Sequence, residues 1–395
     1  MPPPTPLPDW DPQELEAWLR LALTPGVGNT TSRRLLTQYG APQEIFHTSA
    51  AALQSCASAA QAEALTHRPE GLSAQLDTTW AWLANAPAGQ AHALITLGDP
   101  RYPTSLLHTE DPPLMLYAVG PTAYLQRTTP ILDMAQCLAV VGTRNPTAQG
   151  ADNAHQFAHA LANMGWCIVS GLAAGVDGAA HQGALRSERA GAPPVTVAVL
   201  GTGVDRIYPR QHEALTHAIA ARGLLLSELP LGTPPVANHF PKRNRIITGL
   251  SRGTLVVEAA LASGSLISAR LASEQGREVF AIPGSIHAPQ SRGCHFLIRQ
   301  GAKLVETAQD IAEELPAPAP VEATTQHAAP PSPAAAPATA DPVLDALGFD
   351  PCSLDQLVMR SGWDAAHLQA RLLELELDGH VAALPGGWFQ RVVRT

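Results

Sequence analysis

The stretch Phe240-Pro241-Lys242-Arg243-Asn244-Arg245 holds the densest candidate chemistry in the chain. Between Asn238 and Arg252 stand Lys242, Arg243, Arg245 and Arg252, with no acid among them and an aromatic residue at the head. Cations for phosphates beside an aromatic face for a base are what single-stranded nucleic acid needs, and each stacked base is worth roughly 1–3 kcal/mol. A solvated basic helix start is the plain alternative. Positive charge at a helix N-terminus opposes the macrodipole, so helix stability does not explain the cluster. We read it as a binding group.

A second candidate is Gly142-Thr143-Arg144-Asn145-Pro146, which joins an apolar run to a helical pattern. Backbone N–H groups at a helix start favour an anion, and Arg144 adds a bidentate donor beside them. A turn that merely links strand to helix leaves Arg144 unexplained. The turn is not a G-x-G-x-x-G and lacks an acid spaced for a ribose, so a nicotinamide site is not expected. Asp177 and His181 are four apart and could share a helix face for catalysis or metal binding. The plainer reading makes Asp177 a helix cap and His181 a packing group, since two ligands without a third make no zinc site. Glu258 follows a strand and could act as the acid or base of a nucleotide-cleaving enzyme. No second carboxylate, nucleophile–base pair or Walker lysine stands with it. A helix-start anion, or a partner for one of the arginines, is its plain role.

These residues need elements to hold them. Leu138–Val141, Cys167–Val169, Val195–Leu200, Thr254–Val257 and Glu278–Ile282 are short apolar runs, most of them leading into a glycine-containing turn and a helical pattern. Such runs suit strands buried on both faces, and helices between them imply right-handed crossovers and a parallel sheet. The turns then gather at the strands' carboxyl ends, where ligands bind. The helix after the first strand carries the stripe Ala151, Ala154, Phe157, Ala158 and Leu161, with Gly165 closing it.

The remainder of the chain is organised around that middle. Its 395 residues carry a net charge of −9, which allows two or three domains and argues weakly against a nucleic-acid-coated protein without excluding a local basic groove. Met1–Trp10 is a Pro-rich tail without signal-peptide features, and no apolar run is long enough to cross a bilayer. Cys56, Cys137, Cys167, Cys294 and Cys352 show no C-x-x-C spacing and read as free thiols in a reducing cytosol. Residues 1–85 read as helical. There Thr24-Pro25-Gly26-Val27-Gly28 is either a hairpin offering N–H groups to DNA phosphate or an ordinary tight turn. Residues 86–315 form the α/β domain, beginning with proline-punctuated loops around an extended Leu114–Val119. Residues 316–342 are a Pro/Ala linker. Residues 343–395 read as three helices (Val343–Leu347, Ser353–Arg360, Asp364–Leu377) and a hairpin, a winged helix. Its last helix carries Glu374, Glu376 and Asp378 against Arg371, so it suits protein better than DNA.

With these residues assembled, the chain resembles the DprA/Smf family, DNA-processing protein A of bacterial transformation. AVVGTRNPTAQG, VSGLAAGVDGAAHQGAL, VAVLGTGVDRIYPRQ, LLSELPLG, FPKRNRIITGLSRGTLVVEAALASGSLISA, GREVFAIPGS and GCHFLIRQGAKLV carry the likeness, in order. The resemblance implies an extended Rossmann fold with an N-terminal SAM-like helical domain and a C-terminal winged helix. It implies a cytoplasmic, non-enzymatic protein that binds and protects single-stranded DNA, forms homodimers and loads the RecA recombinase onto DNA coated by single-strand-binding protein. No cofactor, metal or catalytic residue is expected. The DNA-binding positions it implies are Gly142, Thr143, Arg144, Ser170, Gly171, Arg210, Phe240, Lys242, Arg243 and Asn244. Arg210 follows Tyr208-Pro209, and the resemblance implies a cation, lysine or arginine, at this position. Dimer and RecA contacts point loosely to Gly293–Leu304. The alternative is a phosphoribohydrolase-like nucleotide enzyme using Glu258, and a third reading is a scaffold binding a small nucleotide.

Overall fold

The computed structural model describes residues 10–189, 191, 193–315, 341–349 and 351–392. Six helices come first: α1 (Pro12–Leu23), α2 (Asn29–Tyr39), α3 (Pro42–His47), α4 (Ala50–Leu53), α5 (Ala59–Thr66) and α6 (Leu72–Ala84). Asp11 starts α1 by accepting from the Gln13 and Glu14 amides, with Pro12 at the first helical position. Leu15, Trp18, Leu19, Leu35, Ile45 and Leu65 make one core, and it runs on into Tyr117, Leu225 and Leu231 of the α/β region. The helical segment is thus seated on one face of the sheet.

That sheet has nine strands: β1 (Gln90–Thr96), β2 (Met115–Pro121), β3 (Cys137–Val141), β4 (Cys167–Ser170), β5 (Thr196–Val199), β6 (Leu224–Ser227), β7 (Gly253–Val256), β8 (Glu278–Ala281) and β9 (Lys303–Leu304). A four-residue helix, α7 (Thr122–Leu125), follows β2. The spatial order is β1-β2-β6-β5-β4-β3-β7-β8-β9. From β6 to β9 every neighbouring pair is parallel, with Leu138 opposite Ile168 and Gly253, while β1 and β2 extend the edge antiparallel. The crossovers are α8 (Ala148–Asn163), α9 (Val176–Leu185), α10 (Glu213–Arg222), α11 (His239–Leu250), α12 (Ser265–Glu274) and α13 (Arg292–Arg299), with α14 (Ala308–Glu314) after β9. Helices cover both faces and bury Val169, Val197 and Val256 on one side and Leu138, Ile168 and Leu255 on the other. The chain winds one way through β3, β4, β5 and β6 and the other way through β7, β8 and β9. The crevice between the carboxyl ends of β3 and β7 is therefore the switch point of the sheet.

The five apolar runs appear as β3, β4, β5, β7 and β8, each within a residue or two of its expected ends. Sequence reading had no strand at β1 or β6. β1 contains Ala91, His92 and Ala93, which carry little strand preference alone. It exists because all seven residues pair with β2. The winged helix consists of α15 (Pro342–Leu347), β10 (Cys352–Ser353), α16 (Leu354–Ser361), α17 (Ala365–Leu377), β11 (Val381–Leu384) and β12 (Trp388–Arg391), the strands ordered β10-β12-β11. Ser353 forms a capping box with Gln356, and Asp364 caps α17 as expected. The expected linker 316–342 lies almost wholly outside the described residues. Among the described residues, no helix is long and apolar enough to cross a membrane.

His181, on α9, is a packing group whose environment fixes its charge. The Thr196 hydroxyl spends its proton on Ile168 O at 2.7 Å, so it accepts from His181 Nδ1, also at 2.7 Å. His181 Nε2 has no partner and no exposure. Burial pushes the imidazole pKa down to about 3. An unfolded chain takes up this proton near pH 6.5 while the folded one does not. Stability contributed by neutral His181 is present above pH 6.5 and lost as pH falls toward 3, at up to about 1.4 kcal/mol per pH unit. Urea denaturation across that range should show the slope in wild type and a shallower one in His181→Gln; equal slopes would assign the loss to other groups.

Candidate nucleic-acid interface

The switch point opens into a crevice of about 700 Å³, walled by the β3 turn (Gly142, Thr143, Arg144), Tyr208, the start of α11 (Phe240, Asn244) and the start of α12 (Ser263, Gly264, Ser265). Arg144 is exposed and stands over the Phe240 ring, 5.7 Å from its centroid. Tyr208, 44% exposed, lies beside the same ring, centroids 5.4 Å apart. A free cation and two ring faces thus share one wall. The N-terminus of α12 meets the crevice from the far side, adding a partial positive charge. A phosphate would find donors here and a base would find a stacking face.

The cation cluster is largely internal, which corrects the sequence reading. Arg243 is only 5% exposed. Its Nη1 donates to Gly171 O at 2.5 Å and to Val199 O, its Nε donates to Asn244 Oδ1 at 3.1 Å, and Nη2 stands 3.9 Å from the Asp177 carboxylate. Helical phase explains this. Arg243, Ile246, Ile247 and Leu250 form the buried i, i+3, i+4, i+7 stripe of α11, so Arg243 faces the sheet and underlies the crevice rather than rimming it. Gly171 is glycine because a Cβ there would fall on the Arg243 guanidinium. Arg245 is buried too, paired with Glu228 and, at 3.3 Å, with Asp111. Lys242 is exposed but lines a separate cleft of about 190 Å³ with Val27, Gly28 and Asn29 of the glycine hairpin.

Other expected positions divide as well. Gly142, Thr143, Arg144, Phe240 and Asn244 do converge on the crevice, and Arg243 lines it from below. Ser170 does not: it is fully buried, and its hydroxyl donates to Val140 O at 2.6 Å. Gly171 lines a small recess behind Phe240. Arg210 is exposed, two residues beyond Tyr208, and lines neither. Asp177 is not a helix cap, since Gly175 holds that position. Its carboxylate instead accepts from the Gly171 and Ala173 amides at 3.2 and 3.3 Å. Burial raises its pKa, with Arg243 the largest opposing influence.

Glu258 takes the helix-start role. Its carboxylate accepts from the Thr147 amide at 2.9 Å and the Thr147 hydroxyl at 2.6 Å, at the cap of α8. The anion that the first turn invites is therefore supplied by the protein. Gly150 leaves it room, because a Cβ there would strike this carboxylate. Burial raises the Glu258 pKa against the Thr147 bonds. Among the described residues no cluster of three or more His, Cys, Asp or Glu could hold a metal. Sequence reading missed Tyr208 and the α12 start as site elements. The Ser263-Gly264-Ser265 turn after an apolar run was the available signal for the second.

Fold and site together define an extended Rossmann-type protein with an aromatic-walled crevice, bearing an exposed arginine, at its switch point and a winged helix appended. A family model described as DNA recombination-mediator protein A matches residues 93–316, and one described as the DprA winged helix domain matches residues 327–387. The chain belongs to this DprA/Smf family of DNA-processing proteins. Protein Smf of Escherichia coli (strain K12) is 42% identical over 308 residues, covering 75% of this chain and 77% of that protein. DNA processing protein DprA of Bacillus subtilis is 43% identical over 222 residues, covering 56% and 71%. The X-ray structure of DNA processing protein A from Streptococcus pneumoniae superposes with a TM-score of 0.62 at 34% identity, covering 77% of this chain and 98% of that one.

Proposed function

We propose that the protein binds single-stranded DNA in the switch-point crevice, without catalysis, as a cytoplasmic mediator of natural transformation and recombination. The observation that carries this is the shared wall of Arg144, Phe240 and Tyr208 facing the α12 N-terminus. It offers a phosphate and a base their separate partners within one opening. Gly142, Thr143 and Asn244 complete the lining, and Arg210 stands near enough in sequence to Tyr208 to meet a strand leaving it. Protection of incoming DNA, and RecA loading onto DNA carrying single-strand-binding protein, extend this reading from the family resemblance. Homodimerisation is supported by exposed Leu261, Ile267, Phe296 and Leu304, the last two within Gly293–Leu304. The phosphoribohydrolase alternative is disfavoured because Glu258 spends its carboxylate on Thr147.

A mobility-shift titration of single-stranded against duplex oligonucleotides across a salt series tests the reading. Tighter single-strand binding that weakens with salt is the expected result. Equal affinity for duplex would overturn it, and release of free purine from nucleoside monophosphates by pure protein would move the assignment to the enzyme.

A further inference from the structure

Among the described residues, fifteen large hydrophobic side chains stand exposed, and six of them belong to the short winged-helix segment: Phe349, Met359, Trp363, Leu373, Leu377 and Trp388. On α17, Leu368, Leu372 and Leu375 face inward and hold the helix to its small core. The opposite side carries Ala366, Ala370, Leu373 and Leu377, all exposed and spaced four, three and four residues apart. Leu373 is 58% exposed and Leu377 81%. That spacing is the seam of a two-helix coiled coil, in which such a stripe packs into the holes of a facing helix.

The charges beside the seam decide what covers it. Glu374, Glu376 and Asp378 stand in the same C-terminal half, and Arg371 is already engaged by Asp341 and Glu374, each at 2.6 Å. Residues 341–395 hold eight acids and four arginines. Duplex phosphates are repelled by such a helix. A second copy would bring only His367, Gln369, Glu374 and Glu376 to the positions flanking the seam, so it offers no lysine or arginine to the two glutamates. The chain's own stretches 1–9 and 316–340 contain no lysine or arginine and are rich in proline, which breaks helices. We propose that α17 is a docking face for a Lys/Arg-flanked amphipathic helix of another protein. Its apolar seam seats on Leu373 and Leu377, and its cations meet Glu376 and, sharing it with Arg371, Glu374.

The full chain is titrated into a fluorescein-labelled peptide of about three heptads, with Leu at the seam and Lys at the flanking positions. Saturable binding is expected, falling at least roughly tenfold in Leu373→Ser/Leu377→Ser. Glu374→Gln/Glu376→Gln should weaken binding and flatten its salt dependence. All four side chains are exposed, and far-UV dichroism verifies that the variants stay folded. The proposal is overturned if the Lys peptide does not bind, if a Glu-flanked peptide binds equally well, or if the leucine variant binds unchanged. It is likewise overturned if sedimentation shows that the leucine variant abolishes self-association, which would make the occupant a second copy.

Discussion

Arg243→Ala is expected to destabilise the protein by about 3–5 kcal/mol, the cost of removing one partner of a buried ionic network. The substitution strips Gly171 O and Val199 O of their donor and leaves Asp177 buried beside an empty space. Since that network also positions the loop after β4, DNA binding should fall with the fold rather than independently of it. Chemical denaturation measures the loss. Lys242→Ala, by contrast, removes an exposed cation and should stay within about 0.5 kcal/mol of wild type. If Arg243→Ala unfolds like wild type and only its DNA affinity drops, the guanidinium is a direct ligand and the structural role assigned to it is wrong. A joint neutralisation of Lys242 and Arg243 would mix these two effects and should be avoided.

The second large effect separates charge from stacking at the crevice wall. Arg144→Ala removes an exposed cation facing the opening. If that cation meets one phosphate of a single strand, the slope of log affinity against log salt should become shallower by about 0.7. Phe240→Ala removes the ring lying between Arg144 and Tyr208, so single-strand affinity should fall by roughly 1–3 kcal/mol with the slope unchanged. Phe240→Leu retains apolar volume over Gly201 without a π face and controls for packing. If Phe240→Leu binds like wild type, the ring acts as filler and no base stacks there. If Arg144→Ala keeps the wild-type slope, the crevice does not hold the DNA backbone.

The parallel sheet, its glycine turns and the winged helix were legible in the sequence because their signals are local. A β-branched run buried on both faces, a Ser353 or Asp364 cap, and a turn before a periodic helix each act within a few residues. Arg144 and Phe240 were legible for the same reason: each lies at the boundary of an element whose type the pattern specifies. Which cations reach solvent was decided only by tertiary structure. Lys242 and Arg243 are neighbours in sequence, yet 100° of helical rotation puts one in water and the other beneath the crevice, where Asp177 and two carbonyl groups replace its hydration. Glu258 reaches Thr147 across 111 positions of chain, so its role as the anion at the α8 cap needed the β3–β7 pairing before it could exist. β1 likewise depends on a partner strand rather than on its own residues. Residue type and spacing determined what chemistry the chain could offer. Packing decided which of those groups are spent holding the fold and which remain to meet a ligand, because desolvating a charge is tolerable only where another part of the chain supplies its partner.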